Sequence, residues 1–184
     1  MKKTGLLVVL VTALLLTGIT LTAPAPVAAD SDIVHDRSRD VPAWMDIVKL
    51  RGTNGQRKVR VALHLRDLQY RGKIELGVSW RTGDSVGYAF FVRIRHTDDG
   101  LRAVYKHSKT GGDTDPAWTC GENHGVLAYR PHRDRIILTV PHGCLRAYDG
   151  IRVINDWAVY GQTHRYHRSR LQFDSLRTGR LSRG

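Results

Sequence analysis

The sequence predicts an all-β fold: an antiparallel β-sandwich, jelly-roll-like, of about eight strands with one disulfide. Three observations predict it. Apolar residues recur at every second position in run after run, the signature of half-buried strands. Turn signals built on Gly, Asp and Asn separate these runs at intervals of roughly 8–15 residues, as in sandwiches and barrels. No segment carries a 3.6-residue apolar stripe bounded by helix caps.

Residues 1–29 precede the fold. Lys2 and Lys3 are followed by an apolar run from Leu6 to Leu16, diluted as far as Leu21, and then by the small-residue segment Ala23–Ala29. Val27 and Ala29 occupy the −3 and −1 positions of a cleavage site before Asp30, the layout of a secretory signal peptide. The apolar core is short for a bilayer span of about 20 residues, and no later stretch could span a membrane. The expected location is extracellular, with charge favouring retention at the cell wall.

Residues 30–42 are polar, end in Asp40-Val41-Pro42, and read as a mobile lead-in. Residues 43–160 carry the sandwich. Trp44, Asp46, Val48 and Leu50 alternate with Met45, Ile47 and Lys49 before a turn at Gly52-Thr53-Asn54-Gly55. In the next run Val59, Val61, Leu63 and Leu65 oppose Lys58, Arg60, Ala62 and His64. Ile74, Leu76, Val78 and Trp80 repeat the pattern, as do Tyr88, Phe90, Val92 and Ile94. The turn Asp98-Asp99-Gly100 leads into Leu101–Lys106, and a Gly/Asp/Pro-rich loop runs from His107 to Thr119. Short strands follow at Gly125–Tyr129, Arg135–Val140 and Ile151–Tyr160. The apolar phases of these runs, with Ile136, Leu138 and Val140, form the expected core between two sheets. Residues 161–184 carry Arg165, Arg168, Arg170, Arg177, Arg180 and Arg183 against Asp174 alone, and read as a basic, disordered tail.

The chain has 29 Lys and Arg against 17 Asp and Glu, a formal net charge of +12, of which Lys2 and Lys3 supply two. Arginine predominates, and its guanidinium binds carboxylate and phosphate as a two-pronged fork. A chain this basic outside the cell is expected to bind polyanions or acidic polysaccharide, and no specific nucleic-acid motif is present. The two cysteines, Cys120 and Cys144, are expected to pair in an oxidising compartment. The closed loop of about 25 residues is worth roughly 3 kcal/mol in the chain-entropy model.

Few residues suggest chemistry. There is no Gly-x-Ser-x-Gly elbow and no His-Glu-x-x-His helix, and the only glutamates are Glu75 and Glu122. His164-Arg165-Tyr166-His167 lies among arginines that would repel a cation, and Asp98-Asp99-Gly100 and Asp113-Thr114-Asp115 lack the full spacing of a calcium loop. No metal or cofactor site is assigned. Tyr70, Trp118 and Tyr129 fall in or beside loops, where aromatic rings stack on sugars, and Arg60, Arg93 and Arg95 would clamp acidic groups. Trp44, Trp80 and Trp157 read as core residues.

Two resemblances follow from motifs. His142-Gly143-Cys144-Leu145-Arg146, with His124-Gly125 upstream, resembles the nucleophile signature of L,D-transpeptidases, secreted enzymes that cross-link peptidoglycan. This implies a thiolate at Cys144 activated by an imidazole. Pro141 stands where that family has Ser or Thr, and Cys120 is placed to consume the thiol. The strand order covers more of the chain: Asp46-Ile47-Val48, the run Val59–Leu68, Trp118 and Cys120, Val140–Leu145, and Ile151–Val153. It resembles a group of secreted β-sandwich proteins of high-GC Gram-positive bacteria, distantly similar to DOMON and family-9 carbohydrate-binding modules. That resemblance implies a non-catalytic module in which Cys144 is a structural half-cystine.

Overall fold

The computed structural model describes residues 29–69, 71–81, 87–109, 115–116, 126–146, 156–167 and 170–182. The strands are β1 (Asp30–His35), β2 (Ile47–Asn54), β3 (Lys58–Leu65), β4 (Lys73–Arg81), β5 (Gly87–Thr97), β6 (Gly100–Lys109), β7 (Asp115–Pro116), β8 (Val126–Arg130), β9 (Arg135–Pro141), β10 (Asp156–His167), β11 (Arg170–Arg177) and β12 (Leu181–Ser182). One short helix, α1 (His142–Arg146), follows β9.

All pairings are antiparallel. The first sheet has the order β1-β2-β3-β9-β8; the second runs β11-β10-β4-β5-β6-β7, with β12 beside β10. The two sheets close over one core, as the alternating pattern requires. Every core position expected from β3, β4, β5 and β9 is buried, from Val59 through Ile74 and Phe90 to Val140. Trp80 and Trp157 are buried as expected and meet edge to face at 5.4 Å, and Tyr88 stacks on Trp80 at 5.8 Å. Trp44 is only half-buried, at the rim under the Arg165 guanidinium, 5.2 Å from its ring centroid.

Several expectations are corrected. The mobile lead-in is in part a strand: β1 pairs with β2 from Asp30↔Asn54 to His35↔Lys49. Strand pairing there uses backbone groups, so its polar side chains gave no periodic signal. The disordered tail is also incorrect. Residues 161–167 complete β10, and β11 and β12 pair beside it. Leu181 enters the core and Leu176 packs against it, but the inward positions Gly161, Thr163 and Asp174, also buried, do not read as apolar. They are satisfied across the sandwich. The Thr163 hydroxyl donates to the Met45 carbonyl (2.5 Å), and the Ile47 amide donates to the Asp174 carboxylate (2.7 Å).

The turn expected at residues 52–55 is the end of β2 instead. A register shift between Ile47 and Lys49 turns both Ile47 and Leu50 inward, so the simple alternation from Trp44 fails. β6 continues past Lys106, and His107 packs edge to face on Phe90 at 4.9 Å. Near the chain ends, the Gly179 and Ser182 amides donate to the carboxylates of Asp32 (2.9 Å) and Asp30 (2.7 Å).

The sheets approach most closely at two glycines. A Cβ on Gly52 of β2 would stand 2.5 Å from Leu181 Cδ1 and 2.7 Å from Val159 Cγ2. One on Gly161 of β10 would stand 2.4 Å from Leu63 Cδ1. Gly52→Ala is therefore expected to lower unfolding free energy by about 1–3 kcal/mol, the range for overpacking a core. Gly143→Ala in α1, with nothing within 4 Å, should leave it unchanged or raised. Urea melts of the two variants check this contrast.

Candidate anion-binding face

Antiparallel register decides which charges meet on an outer face. On the second sheet the rows facing away from the core can be read from the pairings of β10, β4, β5 and β6. One row is Gln162, Glu75, Arg93 and Val104. The next is His164, Lys73, Arg95 and Arg102, extended on β11 by Phe173. Lys73, Arg95 and Arg102 are thus direct neighbours across three adjacent strands.

The two rows differ in compensation. Arg93 donates to the Glu75 carboxylate from Nε (3.1 Å) and Nη2 (3.0 Å), and its guanidinium lies 5.6 Å from the Phe91 ring centroid. No described acidic side chain pairs with Lys73, Arg95 or Arg102. Beside them lies a depression of about 320 Å³ lined by Gly72, Lys73, Arg95, His96, His164 and Arg165, with no carboxylate in its wall. Phe173 (61 % exposed) and Leu171 (52 % exposed) flank the row at the β11 edge.

The histidine in this row registers the field. Burial first, then the neighbouring Lys73, Arg93 and Arg95, push the His164 pKa below its usual value, against an opposing pull from Glu75. On the first sheet, His64 is lowered in the same way, by burial and then by Arg135 and Lys49, with Asp134 opposing.

Among the described residues, the candidates expected from sequence do not converge. Arg93 and Arg95 are on the second sheet, and Arg60 is on the outer face of the first, paired with Thr53 and Thr139. The Tyr129 ring packs against the core and its hydroxyl donates to the Gln69 carbonyl (3.1 Å). Tyr70, Trp118 and Cys120 lie outside the described residues. Cys144 is 3 % exposed, in α1. His142 pairs through Nε2 with Asn54 Oδ1 at 2.9 Å and stacks on Trp157 at 5.7 Å. His124 also lies outside the described residues. Lys73, Arg102 and His164 carry no ligand signal of their own in the sequence, although the Asp98-Asp99 turn fixes the pairing of Arg95 with Arg102.

Among the described residues no group of three metal-ligating side chains converges, and no helix is long and apolar enough to cross a membrane. No family model matches the chain, and no curated protein matches it.

The histidines give a pH prediction. Both have folded pKa values below the usual 6.5, so below about 6.5 the unfolded chain binds more protons than the folded one, and stability falls as pH falls. Asp174, raised by burial, has the opposite sign. Comparing variants with the parent chain removes its contribution. Melting temperature should drop from pH 7.5 to pH 5.5, and His64→Gln/His164→Gln should flatten that slope. An equal slope in the variant would show that the histidines do not carry it.

Proposed function

We propose that the protein is a secreted, non-catalytic module that binds anionic polysaccharide outside the cell. The observation that carries this is the unbroken row Lys73–Arg95–Arg102 on the second sheet. Like charges directly opposite on neighbouring strands destabilise a sheet, and an anionic polymer lying across the strands offsets that repulsion. Exposed Phe173 and Leu171 at the end of the row supply apolar contact for sugar rings. Among the described residues the face is a pleated surface, with no element on it that could enter a nucleic-acid groove to read bases. The signal-peptide layout of residues 1–29 and the resemblance to carbohydrate-binding modules support the same partner class.

Binding through several cationic contacts weakens steeply with salt as counterions are released. The chain starting at Asp30 should be retained on immobilised heparin at about 50 mM salt. Lys73→Ala/Arg95→Ala/Arg102→Ala should elute at markedly lower salt with unchanged circular dichroism. If the parent chain passes through the column unretained, the proposal fails.

The second reading is a cell-wall enzyme of L,D-transpeptidase type with Cys144 as nucleophile. Burial of Cys144 favours the structural alternative, since a nucleophilic thiolate needs an accessible sulfur. Within the proposal Cys144 is bonded to Cys120, the only other cysteine of the sequence. The two thiols give up two protons and two electrons to a disulfide oxidant outside the cytoplasm. Thiol titration of the denatured, unreduced protein should find no reactive thiol, and two after reduction. Two thiols before reduction would bring the enzyme reading forward.

A further inference from the structure

The outer face of the first sheet carries a row of the same kind. His35, Lys49, His64, Arg135 and Arg130 are successive partners across β1, β2, β3, β9 and β8. The inward row beside it is Val34, Leu50, Leu63, Ile136 and Tyr129, so the basic row faces away from the core. A depression of about 470 Å³ lies over its β1–β3 end, walled among others by Arg37, Arg39, Lys49, His64 and Arg66. Its one carboxylate, Asp36, accepts hydrogen bonds from the Ser38 amide (2.7 Å) and hydroxyl (2.9 Å). Asp134, near His64, accepts the Leu68 amide (2.9 Å). Arg66 is paired with Asp46 at 2.6 Å.

Both rows sit at one end of the sandwich. β3 finishes beside the first row at Leu65, and β4 starts in the second row at Lys73. The rows lie back to back, with two sheets about 10 Å apart between them. Each runs across its strands, so a polymer following one row leaves the molecule at a sheet edge and does not pass over the end to the other.

We infer that the protein is bivalent, each face binding a separate strand of anionic polysaccharide, so that one molecule bridges two polymer chains. The inference rests on the proposed binding function and adds the second site and its consequence. The partner on the first sheet is of the same class as on the second, because the outward-facing chemistry is the same: guanidinium, ammonium and imidazole in one line.

The test uses the chain from Asp30 onward, with heparin as probe. Calorimetric titration with a short heparin oligosaccharide at low salt should give two sites per protein. It should give one in Lys73→Ala/Arg95→Ala/Arg102→Ala and one in Lys49→Ala/Arg130→Ala. Long-chain heparin should make the parent protein scatter light near charge equivalence, with clearing in excess heparin. Either variant should still bind long heparin while its scattering falls at least about tenfold. One site per parent molecule with no scattering overturns bridging and leaves single-face binding standing. No heat and no column retention overturns both. Tighter binding to duplex DNA than to heparin at equal salt overturns the assignment of the partner.

Discussion

The architecture depends on how closely β2 and β10 approach each other. Two sheets can share a core about 10 Å thick only if their inward side chains fill it without colliding. Val159 of β10 and Leu181 of β12 already take the space opposite Gly52 of β2, and Leu63 of the neighbouring β3 takes the space opposite Gly161 of β10. Removing two side chains there brings the backbones close enough for polar ties to span the sheets. Asn54 donates to the Leu181 carbonyl at 3.1 Å, and the Ile47 amide donates to the Asp174 carboxylate at 2.7 Å. Buried polar groups of this kind are tolerable only when they are satisfied. The hydrophobic core makes the sandwich favourable, and the glycine contacts and cross-sheet bonds select how the sheets sit on each other.

That arrangement has an electrostatic consequence. Strands whose inward phase is fixed by Leu63, Ile74, Ile94 and Ile136 must send the alternate residues outward. Cations at those alternate positions are then aligned by register, although they are far apart in sequence. Lys73 meets Arg95, and His64 meets Arg135, as a direct result of the core pairs beside them. The basic rows are therefore rigid features of the sheets.

The sequence shows these properties unevenly. The runs Val59–Leu65, Ile74–Trp80, Tyr88–Ile94 and Arg135–Val140 are legible because each has one apolar and one polar face, and their burial follows. β1 and β11 are not legible. Asp30, Asp32 and Asp174 point toward the sandwich as hydrogen-bond acceptors, and acidic residues in a basic or polar stretch resemble a solvated terminus. In the first half of β2 a bulge changes the phase, which a fixed period cannot anticipate. Single arginines such as Arg93 and Arg95 were visible as outward residues. Their different situations were not, since only cross-strand pairing distinguishes an arginine answered by Glu75 from one placed between Lys73 and Arg102. Register is open to inference at the β5–β6 hairpin, where a short turn fixes it, but not between β4 and β10, which are separated by β5 to β9 and α1.

The bonds that close the sandwich are among the most distant along the chain. The Ile47 amide reaches an acceptor 127 residues away, and the Ser182 amide one 152 residues away. Contacts this non-local carry a large loop-closure cost before they contribute any stability, and folds dominated by them form slowly. The first sheet lacks the partners of its β1–β2 edge until the last strands have emerged. In the secreted protein proposed above, slow closure would be an advantage: it would keep the polypeptide extended and threadable during export and defer completion of the sandwich until both ends have emerged.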